Sequence, residues 1–296
     1  MMTRRTVVTT TLAAGALAAT TGLTRAATPL TLTPFPAGEN GFFRAPVLLS
    51  GASEAVLIDG GFTFPDGAAV ADAIRQTGRK LTSIYISQSD PDYYFSLKPI
   101  TEAFPEARVI AASETLAAIN GNIAKKLETW GPQLKENGPQ SMADIILPEA
   151  YDAASLTVDG EAIEIVPAEG LDNRRYLYVP SLNAVVGGVL VFAGVHVWTA
   201  DTPTKEARAA WIANLDSIAA RKPAIVVAGH MTPEAATDLS AVEHTRAYLA
   251  AFEEELARAA DAAALKAAME ERFPGLGMGV ALDIGSKVAT GEMKWG

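Results

Sequence analysis

The chain has 296 residues, of which 49% are hydrophobic and 20% charged, with a formal net charge of −10. That apolar share supports a large folded core, while the acidic balance argues against a nucleic-acid partner, which needs clustered Lys and Arg. Cysteine is absent, so neither a disulfide framework nor a thiolate metal site is available.

Taken in chain order, Met1-Met2-Thr3-Arg4-Arg5 opens a basic segment. A weakly apolar run rich in Ala, Thr, Val and Leu continues to Leu23, and Thr24-Arg25-Ala26 places small residues before a cleavage point. Residues 1–27 therefore read as a twin-arginine-type export signal, leaving one soluble domain over residues 28–296 in the periplasm. Thr and Gly interrupt the run, which makes it a poor membrane span, so no stable span is expected after cleavage. Residues 1 to 26 carry three arginines and no acid, so their removal takes the charge from −10 to −13.

Beyond the leader, Phe43-Ala45-Val47-Leu49 and Ala55 to Asp59 predict a hairpin, and Asp66 to Arg75 predicts a helix capped near Pro65-Asp66. The apolar, β-branched run Leu81 to Ser87 predicts a buried strand. Val109 to Ala111 and Asp144 to Leu147 predict two more strands. Between them, Leu116, Ile119, Ile123, Leu127 and Trp130 fall at spacings of three and four and mark one stripe of a helix over 113–138. Arg175 to Trp198 predicts a two-strand segment, and Ala224 to Ala228 a buried strand before Gly229-His230. Ser240 to Phe273 predicts helix. Val280, Leu282 and Ile284 alternate as an edge strand would, ahead of a terminal aromatic anchor at Trp295.

Gln88-Ser89-Asp90-Pro91-Asp92-Tyr93-Tyr94 follows the Leu81 strand at its C-terminal edge, where site residues gather. It also suits an ordinary strand-to-helix connection, in which Ser and Asp satisfy free backbone N–H groups. His230 likewise reads either as a site residue or as the flank of a helix capped at Thr232 with Pro233 following. Four stretches, Asp59-Gly60-Gly61, the Gln88 loop, Pro167-Ala168-Glu169-Gly170 and Gly229-His230, together with Gly187-Gly188-Val189, run from about Phe42 to His230. In order and spacing they resemble the metallo-β-lactamase superfamily, in which a strand ends in Thr-His-x-His-x-Asp-His.

That resemblance implies an α/β fold, a four-layer αββα sandwich, here with a C-terminal helical extension. In its register Gln88 and Asp90 stand at the first two histidine positions, Asp92 keeps the aspartate and Tyr93 takes the third histidine. Glu169 or Gly170 falls at the next histidine, with Glu169 favoured by the count from Pro167. Val189 stands where a bridging aspartate is expected, and His230 keeps the last ligand. His196 and His244 lie outside the register, so one imidazole is left.

Zinc prefers nitrogen and sulfur donors, and the missing bridging carboxylate argues against a dinuclear zinc site. The remaining metal set, Gln88, Asp90, Asp92, Glu169 and His230, is rich in oxygen and suits a single Mg²⁺, Ca²⁺ or Mn²⁺, or no metal at all. Three functions follow as expectations. One is a hydrolase-like protein in which a cation activates water, with Asp92 and His230 catalytic and small esters or lactones as substrates. Another is a catalytically inactive protein that binds a small molecule or a partner through Gln88, Tyr93, Tyr94 and Trp198, with His196 near the pocket mouth. The third is metal-free acid/base catalysis by Asp90, Asp92 and His230. By the same resemblance the insert over 113–138 borders the substrate mouth, so Trp130 either faces the pocket or packs in the core.

Overall fold

The computed structural model describes residues 29–295. The expected export signal lies outside the described residues. A six-stranded sheet has the order β1 (Thr31–Pro34), β2 (Val47–Ser50), β3 (Glu54–Ile58), β4 (Lys80–Ile86), β5 (Arg108–Ala111) and β6 (Glu149–Ala150). The first three strands pair antiparallel, and β3 to β6 run parallel. Parallel neighbours need a crossover, which α1 (Phe64–Thr77) supplies between β3 and β4, and α2 (Leu97–Ala103) between β4 and β5. Helix α3 (Ser113–Leu134) fills the gap before β6.

The second sheet is built from β7 (Ser155–Val158), β8 (Glu161–Pro167), β9 (Arg175–Val179) and β10 (Ala184–Val186), paired antiparallel. A short pair, β11 (Phe192–Ala193) with β13 (His230–Met231), lies beyond it, and β12 (Ile225–Val226) runs parallel to β10. Four helices follow or intervene: α4 (Lys205–Ala220), α5 (Ser240–Leu256), α6 (Ala262–Arg272) and α7 (Gly279–Ala289). The result is the mixed α/β architecture expected, with a helical C-terminal extension. No described helix is long and apolar enough to cross a membrane.

Strand β3 is apolar after Glu54, and β4 becomes apolar and fully buried over Ile84-Tyr85-Ile86, as strands of a parallel sheet covered on two faces are where they approach the site. Helix α1 starts where Thr63 accepts a hydrogen bond from the Asp66 N–H at 3.2 Å, with Pro65 in the first turn, and stops at Gly78, whose φ of +66° few other residues adopt. The two sheets are tied at the turn before β8, where the Asp159 carboxylate accepts the N–H groups of Ser53 at 2.8 Å and Glu54 at 3.1 Å.

Three expectations change in detail. The strand expected at Asp144 to Leu147 is replaced by a single 3₁₀ turn over Met142–Asp144, because Asp144 caps Ser141 and pairs with Lys98 at 2.7 Å; the strand itself comes later, at β6. The alternation at Val280 to Ile284 belongs to helix α7, which buries Ala281, Leu282, Gly285 and Ser286 at helical spacing. Three alternating residues are too few to separate the two periods. No helix begins at Thr232; His230 lies in β13, and α5 starts only at Ser240.

Candidate functional site

Tertiary pairing, more than any local motif, delivers His230. Its strand β13 pairs with β11 on one side and bridges Arg44 on the other, so residues 42 to 45 join the two sheets there. The Ala45 N–H donates to the Gly229 carbonyl at 2.9 Å, and the Met231 N–H to the Phe43 carbonyl at 2.8 Å. Gly229 is required by this crossing, since a Cβ there would collide with the Gly188 carbonyl oxygen. Gly188 is likewise required, with a φ of +71° and the Arg175 carbonyl oxygen occupying the place its Cβ would need. Phe42 and Phe43 both take left-handed backbone, at φ +53° and +54°, a strained pair for bulky residues. That turn aims the Phe42 carbonyl at His230.

The imidazole Nδ1 lies 2.8 Å from that carbonyl oxygen, which can only accept, so Nδ1 carries the hydrogen. Nε2 is thereby left as an acceptor, 3.4 Å from Asp92 Oδ2. The ring stacks on Phe192 at 5.1 Å with planes 7° apart. Burial, reinforced by the nearby Arg44 guanidinium, pushes the imidazole pKa down to about 3. His230 is therefore a neutral base in a fixed tautomer.

Arg44 is the residue that dominates the floor of the site. Fully buried, it pairs with Asp59 at 2.5 Å, donates to the Gly229 and Ala45 carbonyls, and lies 3.8 Å above the Tyr93 ring centroid. Asp59, held at a left-handed φ of +63°, also accepts the Ser87 N–H at 2.6 Å and the Ser87 hydroxyl at 2.8 Å. Ser87 Oγ accepts in turn from the Gly188 N–H at 2.9 Å, and the Tyr93 hydroxyl donates to the Gly188 carbonyl at 3.0 Å. The sequence register puts Tyr93 in a ligand position; the structure makes it a packed aromatic beneath a guanidinium.

Above this floor opens a small cleft of about 50 Å³. Asp90, Asp92 and His230 share it with Phe42, Phe62, Trp130, Trp198 and Trp295. Phe42 packs on Phe62 at 5.0 Å and on Trp130 at 5.4 Å, while Trp198 and Trp295 meet edge to face at 5.3 Å. Asp201 accepts both of the last two indole N–H groups, at 2.8 and 2.9 Å, and so fixes the wall. Lys126, one helical turn from Trp130 on α3, reaches Asp90 at 3.5 Å and lies 5.4 Å from the Trp295 ring centroid. Burial and the neighbouring Asp201 push the Asp90 carboxyl up to about 7, against Lys126. Burial raises Asp92 to about 6, against Arg44.

Of the remaining sequence candidates, Trp198 lines the cleft and Gln88 lines a recess that opens beside it. The Gln88 side-chain oxygen Oε1 accepts the Ser89 N–H at 2.7 Å. Glu169 is exposed at the β8–β9 turn and borders neither cavity, and Gly170 beside it offers no donor. Tyr94 is buried in the core against Phe95. His196 packs under α5, with Nδ1 3.0 Å from the Tyr248 hydroxyl. Arg44, Lys126, Asp201 and Trp295 are site residues that motif reading missed. The helical stripe ending at Trp130 was the one signal that could have led to the α3 wall.

These donors do not fit a metal ion. Among the described residues no three His, Asp or Glu side chains are grouped so as to hold one. Glu169 lies elsewhere, Gln88 is committed to its own loop, and Val189 is apolar. The buried guanidinium of Arg44 already supplies the positive charge that acts on both Asp92 and His230.

No family model matches the sequence, and no curated protein matches it either. Solved structures do. A β-lactamase domain protein from Burkholderia ambifaria superposes with a TM-score of 0.60 at 14% identity, covering 88% of this chain and 84% of that one. A metallo-β-lactamase family protein from Thermus thermophilus gives 0.55 at 17%, covering 86% and 91%, and a metallo-β-lactamase from Hirschia baltica gives 0.51 at 10%, covering 74% and 92%. The chain therefore has the metallo-β-lactamase fold. At these identities the likeness establishes the fold alone, and the chemistry rests on the residues of the cleft.

Proposed function

We propose that this is an exported, metal-independent binding protein whose cleft takes a small organic cation, such as a substituted ammonium. One observation carries the reading: Trp130, Trp198 and Trp295 converge with Asp90 and Asp92 on a cleft whose donors do not fit a metal ion. Indole faces attract cations through the ring quadrupole, most strongly when water is excluded. Burial is the main cause that pushes the two carboxyls up toward neutrality, and an ammonium entering beside them would favour their charged forms. The weak contact of Lys126 with Asp90 and its position near Trp295 give a local precedent for an ammonium held between carboxylate and indole. Export is supported by the leader read over residues 1–27, and N-terminal sequencing of secreted protein tests it.

Calorimetric titration with tetramethylammonium tests the binding reading. Affinity should rise as pH is raised from 5 to 8, because ionised Asp90 and Asp92 attract the cation and protonated ones do not. Absence of binding at either pH rejects it.

A second reading is favoured by the pair His230 and Asp92, a neutral imidazole acceptor 3.4 Å from a carboxyl that titrates near 6. Such a pair can shuttle a proton to activate water against an ester or lactone without a metal. Chelator-treated protein assayed from pH 5 to 9 on an ester and lactone panel decides it; no turnover at any pH rejects it.

A further inference from the structure

Beside the cleft, and sharing Asp90, Lys126, Trp130 and Trp295 with it, lies the open recess bordered by Gln88. The β8–β9 turn brings two consecutive buried arginines, Arg174 and Arg175, to this region, and their environments differ. Arg175 is satisfied within the chain: its guanidinium donates to Glu114 at 3.0 Å and to the Thr115 hydroxyl. Arg174, 5% exposed, has an Nη1 with no hydrogen-bond partner, and its guanidinium lies 5.2 Å from the Trp211 ring centroid. A buried guanidinium nitrogen left without an acceptor is costly, and the usual remedy is an anion.

The segment is held in place. The Asn173 N–H donates to the Glu114 carboxylate, its side-chain amide donates to Ser89 Oγ at 2.8 Å, and the Arg174 carbonyl accepts from the Ala168 N–H at 2.8 Å. Lys126 and Lys294 border the same recess. Of the acids there, Asp201 is engaged by two indole N–H groups, Asp172 is exposed on the turn, and Asp90, within electrostatic reach of Arg174, is pushed toward neutrality by burial and makes no hydrogen bond to it.

We propose that the recess is an oxyanion subsite, in which Arg174, assisted by Lys126 and Lys294, receives a carboxylate or phosphate group. A planar guanidinium presents paired donors that match either oxyanion. Combined with the ammonium reading of the adjoining cleft, on which this part rests, the ligand is a dipolar molecule, cationic at the indoles and anionic at Arg174.

The test uses four probes titrated into the protein: 4-(trimethylammonio)butanoate, its methyl ester, phosphocholine and butanoate. The free acid should bind about tenfold more tightly than its ester, the scale of one hydrogen bond to a charged group. Phosphocholine in place of the acid separates a phosphate preference from a carboxylate one. Arg174→Gln should abolish the acid-over-ester margin. Lys294→Gln, an exposed change that leaves the core intact, should reduce the margin in the same direction, so the prediction survives if Arg174→Gln fails to fold. Equal affinity for acid and ester, or a margin untouched by both variants, overturns the subsite. Binding of butanoate that depends on Arg174, with no ammonium probe bound, retains the subsite and rejects the cation reading.

Discussion

Asp90 and His230 titrate in opposite directions from the same cause, because burial disfavours whichever form is charged. For Asp90 the folded pKa, about 7, lies above the usual carboxylate value, so the stability it contributes is full below about pH 4 and is lost as pH rises through 7. For His230 the folded pKa, about 3, lies below the usual imidazole value, so its contribution is full above about 6.5 and is lost as pH falls through 3. Asp90→Asn removes the first effect alone. Its melting temperature should exceed that of the parent at pH 8 by several degrees and match it near pH 4, where parent and variant are both neutral at this position; equal shifts at the two pH values would refute the assignment. Arg44 gives a second prediction at this scale. Arg44→Met leaves the buried Asp59 carboxylate unpaired and should cost about 3–5 kcal/mol in denaturant unfolding. Replacing Asp59 by Asn as well should recover part of it, since a neutral amide leaves no stranded charge, tolerates the left-handed backbone and still offers an acceptor to Ser87. Motif reading did not single out Arg44, because its partners lie 15 and 185 positions away in the chain.

Among the secondary-structure elements, α3 and the C-terminal tail do what the strand-end loops were expected to do. Helix α3 presents Lys126 and Trp130 one turn apart, and the tail after α7 brings Trp295 back onto Trp198. Trp295→Ala should weaken tetramethylammonium by roughly tenfold, the scale of one partly desolvated cation–π contact, with little change in unfolding midpoint because the residue is only partly buried. An unchanged affinity would remove Trp295 from the site. The hairpin, the strand β4, α1 and the long helix α3 were all legible in the sequence, because apolar periodicity and caps are local properties. The site was legible in part. Asp90, Asp92 and His230 were candidates through the register of the family resemblance and Trp198 as a residue near the pocket, and the structure places all four on one cleft. Glu169 does not reach it, and Tyr94 and His196 turn to packing. Spacing along a strand fixes which end a residue occupies, but not which way a turn residue such as Glu169 faces.

Considered as a whole molecule, the metallo-β-lactamase fold is kept while the donor set that suits a metal is not. Protein purified without chelator should carry well below one equivalent of any divalent metal by elemental mass spectrometry. Neither EDTA nor an excess of zinc should move its melting temperature, since a ligand that binds only the folded state would raise it. A stoichiometric metal, or a clear shift, would require a rearranged cleft. The sequence by itself determined the α/β class, most of the order of strands and helices, the cysteine-free chemistry and the scarcity of imidazole, because those depend on residue type and short-range period. Only the tertiary structure decided that Arg44 lies under the site, that α3 and the tail close it with indoles, and that Arg174, with one guanidinium nitrogen lacking a hydrogen-bond partner, borders a recess. Each of these depends on contacts between segments far apart in the chain, and no local pattern encodes where such segments meet.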